Sequence, residues 1–247
     1  MTDPVAPTSE AVADARASSA EPDPRRWLAL AVLAAAQLMI VLDASIVNIA
    51  LPSAQADLEI SNADRQWVVT AYTLAFGGLL LLGGRIADYT GRKRTFVIGL
   101  LGFAGASALC GLAPDVTVLV AARAVQGIGG ALLVPTALAI LQSSFAPGHR
   151  ARAIGAWSGF TGVASAVGPF AGGWLVQTTS WRWVFLVNLP IALAVVLIAR
   201  RHVPESTDPA ACPQLDVPGA ALLVSGLGAL TLGLTTAAGD DPSAPRT

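Results

Sequence analysis

Asp43, Arg123 and Gln126 carry most of the chemistry in a chain otherwise poor in it. Asp43 lies in the run Val41-Leu42-Asp43-Ala44-Ser45-Ile46-Val47-Asn48. Apolar surroundings disfavour the charged form of a carboxyl group, so such a group suits loading and release of a proton. The alternative is a carboxylate permanently paired with a cation. Arg123 lies in an equally apolar run, and a guanidinium there stays charged and needs a cavity or a carboxylate to face. The alternative for Arg123 is a side chain that snorkels to the nearer membrane surface. Gln126 follows three residues later on the same helical face. Asn48 is a further polar group, either lining a substrate cavity or hydrogen-bonding a neighbouring helix.

These residues must be positioned by membrane helices. Hydrophobic residues make up 54% of the chain and charged residues 13%, against about 25% charged in soluble domains. The formal net charge is −1, which gives no basis for a nucleic-acid partner. There is no metal-ligand cluster, no nucleophile with a matched base and no phosphate-binding loop, so no cofactor is expected and an enzyme has no support. Gly99, Gly102 and Gly105 lack the preceding strand of a dinucleotide site and read instead as points of close helix approach. Cys110 and Cys212 are expected on opposite sides of the membrane, unbridged.

A spanning helix needs roughly 20 apolar residues. Candidate spans are 27–50, 67–86, 95–113, 117–141, 153–176, 183–200 and 217–238. With the N-terminus inside, inner segments hold Arg16, Arg25, Arg26, Arg85, Arg92, Lys93, Arg94, Arg150, Arg152, Arg200 and Arg201, and outer segments only Arg65, Arg182 and Arg246. This asymmetry places the N-terminus in the cytoplasm of a multi-pass cell-membrane protein. The six tryptophans fall near span ends, where amphipathic rings prefer the interface. Arg182 reads as such an interface anchor, and Ser61 or Asn62 as a cap for the second span. Asp43 lies nine residues before Pro52 and Arg123 eight after Asp115. At about 1.5 Å per residue both sit roughly 12–14 Å below the outer boundary. They are expected to face one cavity, with Arg123 favouring the ionised form of Asp43.

The stretch Gly84-Arg85-Ile86-Ala87-Asp88-Tyr89-Thr90-Gly91-Arg92-Lys93-Arg94 reads as a cytoplasmic loop in which two glycines frame the Asp and permit a tight turn. Its pattern G-x-x-x-D-x-x-G-R-K resembles the loop 2–3 signature of the major facilitator superfamily of secondary transporters. Leu42-Asp43-Ala44-Ser45-Ile46-Val47-Asn48-Ile49-Ala50-Leu51-Pro52 resembles the first-helix motif of the drug:proton antiporter group with fourteen spans. Arg123 to Ala131 resembles the fourth-helix motif of proton-coupled members. Gly168-Pro169-Phe170-Ala171-Gly172-Gly173 resembles the fifth-helix antiporter motif, and Trp181 to Pro190 resembles the segment at that place in the same group.

The resemblance implies an all-α membrane protein: a six-helix facilitator-type bundle plus a seventh transmembrane helix. The divisions are a disordered cytoplasmic tail (1–26), the bundle (27–200), a cytoplasmic linker (201–216) and a seventh helix with a truncated end (217–247). The family's second six-helix bundle is missing as a partner, so the chain looks like a fragment. No internal repeat is visible. The implied function is proton-coupled efflux of small amphipathic compounds, such as drugs or antibiotics. The partners are the small-molecule substrate, protons and the lipid bilayer. Asp43 and Arg123 would couple the proton, Asn48 and Gln126 would line the substrate cavity, and Gly84, Asp88, Gly91, Arg92 and Lys93 would form the gating loop. Gly168, Pro169, Gly172 and Gly173 would give the antiporter helix its smooth, bendable face. The alternative is a truncated, non-transporting membrane protein or scaffold.

Overall fold

The computed structural model describes residues 25–207 and 215–239. The described residues form helices and no strands. We number the helices α1 (Arg25–Asp57), α2 (Asn62–Thr90), α3 (Arg92–Gly111), α4 (Val116–Ser144), α5 (Pro147–Thr178), α6 (Trp183–Leu186), α7 (Asn188–His202) and α8 (Val217–Gly239). Among the described residues, five stretches are long and apolar enough to cross a membrane: α1 to α4, and α6 with α7 taken together. Helix α5 is 32 residues long, but its glycines, serines and tryptophans make it less apolar than those five.

Three sequence expectations change. Gly84 to Thr90 are helical, so the charged stretch is the end of α2, Gly91 and the first turn of α3, and not a loop. The chain turns at Gly91 alone, where φ is +112°, a region that favours glycine. At Gly84 an added Cβ would make ordinary van der Waals contact with Pro135 of α4, at 3.4 Å. The sixth span breaks at Val187 into α6 and α7. Pro190 accounts for the break, because its ring clashes with the carbonyl four residues earlier, that of Leu186. Of the evenly spaced glycines, only Gly99 serves packing: a Cβ would lie 2.9 Å from Leu132 Cβ, whereas Gly102 and Gly105 have nothing within 4 Å. Residues 1–24 and Cys212 lie outside the described residues; Cys110 is buried and free.

Helix α1 lies against α5 and α7, and α4 lies against α2 and α3. Exchanging α1 with α4, α2 with α5 and α3 with α7 reproduces the same pairs. This is the pairing of two three-helix units related by a pseudo-two-fold axis, which the sequence did not display. Helix α8 packs on α2, where Gly78 leaves room for Val224. Asp216 begins α8 by accepting the Gly219 N–H at 2.8 Å, as an acid at a helix N-terminus should. Ser61 caps α2 by accepting the Asp64 N–H at 3.1 Å.

Two apolar clusters fill the bundle. One holds Leu33, Met39, Phe96, Phe103, Leu133, Leu141 and Val196; the other holds Val47, Val68, Cys110, Leu119, Trp181 and Phe185. Trp181, expected at the interface, is therefore core. Its indole Nε1 donates to Asp57 at 3.0 Å. Arg182 is a tie between elements: it donates to the Ala113 carbonyl at 2.7 Å and to Asp57 at 3.1 Å.

Close helix contact sets the cost of added bulk. A Cβ on Gly129 would lie 2.7 Å from Phe103 N of α3. Gly129→Val is expected to lower stability by about 1–3 kcal/mol through overpacking, while Gly102→Ala is neutral or stabilising. Thermal unfolding of the detergent-solubilised chain measures both, and equal midpoints for the two variants would contradict the packing.

Candidate functional site

Between the two apolar clusters lies a thin polar layer. Along α1 one cluster ends at Ile40 and the other begins at Ile46, and Asp43 stands between. Along α4 the gap runs from Ala122 to Leu133 and holds Arg123 and Gln126. Along α3 it holds Ser107, and at the α6–α7 break it holds Asn188. Each helix thus contributes one or two polar groups at one height, and all five residues are 2% exposed or less.

The geometry is that of a buried ion pair held by several hydrogen bonds. Arg123 Nη1 donates to Asp43 Oδ2 at 2.7 Å. Asp43 Oδ1 accepts from Gln126 Nε2 at 2.8 Å and from Asn188 Nδ2 at 3.1 Å. Gln126 Oε1 in turn accepts from Arg123 Nη1 at 2.7 Å, so this amide bridges both members of the pair. Arg123 Nε donates to the Val68 carbonyl of α2 at 3.2 Å. The guanidinium lies 4.2 Å from the centre of the Tyr72 ring, within cation–π range. Ser107 Oγ accepts from Gln126 and Asn188 at 3.2 and 2.9 Å and donates to the Phe185 carbonyl at 2.9 Å. Buried charge survives only when paired and hydrogen-bonded, and both conditions are met.

The Asp43 side chain is itself fully buried, and a cavity lies against the residue. An apolar cavity of about 170 Å³ between α1, α5, α6 and α7 reaches Asp43 and Asn188, with Trp174, Leu175 and Ile191 among its walls. Such a layer can hold a proton on one carboxyl, or release it, while keeping a cation beside it.

The structure brings Asp43 and Arg123 into contact, where the sequence placed them at one height. Gln126, expected to line a cavity, is fully buried in the network. Asn48 stands apart: it is exposed, donates to the Ala44 carbonyl of its own helix at 3.0 Å, and lines an open polar recess with Arg65, Gln66 and Thr70. Gly168 and Gly172 meet Ser45 and Ile46 of α1, where a Cβ on either would lie 2.7 Å from its neighbour. Gly173 has nothing within 4 Å, and Pro169 is exposed. Among the residues expected to form a gating loop, Arg92 Nη2 pairs with Asp88 at 2.9 Å. Lys93 Nζ donates to the Arg200 carbonyl at 2.8 Å.

Sequence reasoning missed Asn188, Ser107 and Tyr72. The one available signal was Asn188 two residues before a proline in an otherwise apolar span. It also missed Glu205, whose carboxylate accepts the backbone N–H groups of Lys93 and Arg94 at 2.9 and 3.2 Å and so caps α3. The Glu205 oxygen would lie 2.8 Å from a Cβ on Gly91, a second reason for glycine there. No metal-binding group of three His, Cys, Asp or Glu occurs among the described residues.

The sequence profile of the Major Facilitator Superfamily matches residues 33–238. The chain belongs to this superfamily. The puromycin resistance protein of Streptomyces alboniger is 50% identical over 225 residues, covering 91% of this chain and 44% of that protein. The probable actinorhodin transporter of Streptomyces coelicolor is 44% identical over 218 residues, covering 87% and 38%. The tetracenomycin C resistance and export protein of Streptomyces glaucescens is 39% identical, covering 86% and 40%. This facilitator chain therefore spans less than half the length of these relatives. Among solved structures, the peptide transporter POT in complex with sulfate superposes with a TM-score of 0.66 at 14% identity, covering 86% of this chain and 46% of that one. An inward-facing, unoccupied bacterial homolog of the human lysosomal transporter Spinster gives 0.56 at 22% identity, covering 84% and 50%. At such identities these two show the facilitator fold alone.

Removing Arg123 leaves the Asp43 carboxylate charged and buried without its counter-ion. Arg123→Leu should cost about 3–5 kcal/mol, and adding Asp43→Leu should recover a large part of that loss. Thermal unfolding of the single and double variants tests the pair; a double variant no more stable than Arg123→Leu counts against it.

Proposed function

We propose that this chain supplies the first bundle of a proton-coupled exporter of small amphipathic compounds. The observation that carries the reading is the fully buried Asp43–Arg123 pair. The names of the relatives, which concern resistance to and export of antibiotics, support the substrate class. Residues 27–200 act as the transport bundle, 201–216 as a cytoplasmic linker, and the helix Val217–Gly239 as the seventh span of a fourteen-span protein. The short coverage of the relatives supports a requirement for a second bundle, which completes the substrate cavity.

Asp43 is the proton carrier. A proton entering through the cavity beside Asn188 neutralises the carboxyl and cancels its attraction for Arg123. The cation does not become stranded, because the Val68 carbonyl, Gln126 Oε1 and the Tyr72 ring remain to hold it. Gln126 passes the change between the two, since it accepts from Arg123 and donates to Asp43. Weakening of these bonds loosens the polar layer that joins α1, α3, α4 and α7. Helix α5, seated on α1 through Gly168 and Gly172, allows the bundle to move without a rough seam. At the other end, Asp88 and Arg92 face the second bundle and lock the inner side. Each inward proton releases about 2.3 kcal/mol per 100 mV of membrane potential, which drives export.

Asp43→Asn in the full-length form is expected to insert normally and to lose efflux driven by an imposed pH gradient, measured with a fluorescent substrate in inverted vesicles. Efflux at the unmodified rate would falsify Asp43 as the carrier. Proton flux through the 247-residue chain alone separates a self-sufficient transporter from one that needs its second bundle.

Orientation has its own test. In a cysteine-free background, Arg65→Cys is expected to react with an impermeant maleimide added to intact cells, and Arg152→Cys only after lysis. The reverse pattern would overturn a cytoplasmic N-terminus.

A further inference from the structure

The end of the bundle that carries Gly91 holds a groove between the start of α3 and the end of α7. Lys93, Arg94, Val97, Ile98, Arg200 and Glu205 line it, and its volume is about 430 Å³. We propose that this groove seats the headgroup of an anionic phospholipid, with its acyl chains laid over the exposed apolar faces of α3 and α7. This rests on the reading that these helices cross a bilayer, and not on the transport mechanism.

Three cations converge on the groove against one carboxylate. That carboxylate accepts the Lys93 and Arg94 backbone N–H groups and lies 4.0 Å from Arg94 Nε; its single charge offsets one cation of the three. Lys93 spends one ammonium hydrogen on the Arg200 carbonyl and keeps the others. The Arg94 side chain is 78% exposed and only 4.0 Å from Glu205 at its Nε, which leaves its terminal nitrogens available. No described residue pairs with the Arg200 guanidinium. Phosphate oxygens would satisfy all three cations at once. A zwitterionic headgroup would bring its own ammonium against them.

Burial and register argue for lipid over a soluble anion. The cations stand in the first turn of α3 and the last turn of α7, at the boundary of the apolar helices. Directly inward on the same faces lie Ile98 and Leu101 of α3, and Leu193 and Leu197 of α7, all more than half exposed. Basic pockets between membrane helices hold anionic headgroups in this way. A soluble anion would make no use of these apolar faces.

Native mass spectrometry of the purified 247-residue chain, offered phosphatidylglycerol or phosphatidylcholine, tests the site. Each cation near an anionic lipid is worth about fivefold in affinity. The chain is expected to retain phosphatidylglycerol about tenfold or more over phosphatidylcholine. Arg94→Gln with Arg200→Gln should erase that preference, and Arg94→Lys with Arg200→Lys should keep it. Equal retention of the two lipids by the unmodified chain overturns the proposal, as does a preference that survives in the glutamine variant. Displacement of phosphatidylglycerol by millimolar inorganic phosphate would assign the cations to a free anion and equally overturn it. Since no transport is measured, failure here leaves the role of Asp43 standing, and failure of Asp43 as carrier leaves the lipid site standing.

Discussion

A carboxylate and a guanidinium buried together impose the strictest constraint in this bundle. Removing either from water costs several kcal/mol, and their attraction repays that only when the remaining lone pairs and hydrogens also find partners. Asp43 therefore needs Gln126 and Asn188 on one oxygen as well as Arg123 on the other. Arg123 needs Val68 and Tyr72 as well as Asp43. Those partners come from α2, α4 and α7, and Ser107 of α3 ties two of them to the Phe185 carbonyl of α6. One pair thus dictates how five helical segments sit around α1.

The rest of the architecture fits around that waist. Apolar side chains pack above and below it in two separate clusters, so the polar residues form a sheet one layer thick and not a channel. Each end is held by a different device. Arg182 and Trp181 fasten the end of α1 to the connection after α3 through Asp57 and the Ala113 carbonyl. At the opposite end Glu205 grips the first turn of α3, and Arg92 N donates to the Ser206 carbonyl at 2.9 Å. Hydrogen bonds and ion pairs fix the two ends and the middle. The apolar stretches between are set by van der Waals contact, where glycines allow backbones to approach.

That division would suit the proposed exporter, which must change shape while staying closed to ions. Helix α5 touches α1 at Gly168 and Gly172, with most of its remaining surface exposed. A seam of glycine carries no hydrogen bonds to break, so sliding there costs only dispersion contact. The polar waist is the opposite: any shift must exchange bonds one for one, and a proton on Asp43 is one way to change how many are needed.

The sequence alone determined the class of element, the family and the height of the two charges. Apolar runs of bilayer length become helices because lipid offers the backbone no other partner, and a rise of about 1.5 Å per residue converts residue counts into depth. Asp43 and Arg123 could therefore be matched by counting. Only the tertiary structure decided what surrounds them. Asn188, Ser107 and Tyr72 are uncharged and unremarkable in any one helix; they matter because α3, α2 and the broken sixth span bring them to one point, which no local pattern encodes. The same holds for Gly84, whose charged neighbours suggested a loop. A helix tolerates charges at its end, so hydrogen bonding carried α2 on to Thr90, and Gly91, facing Glu205 from more than a hundred residues away in the chain, made the turn.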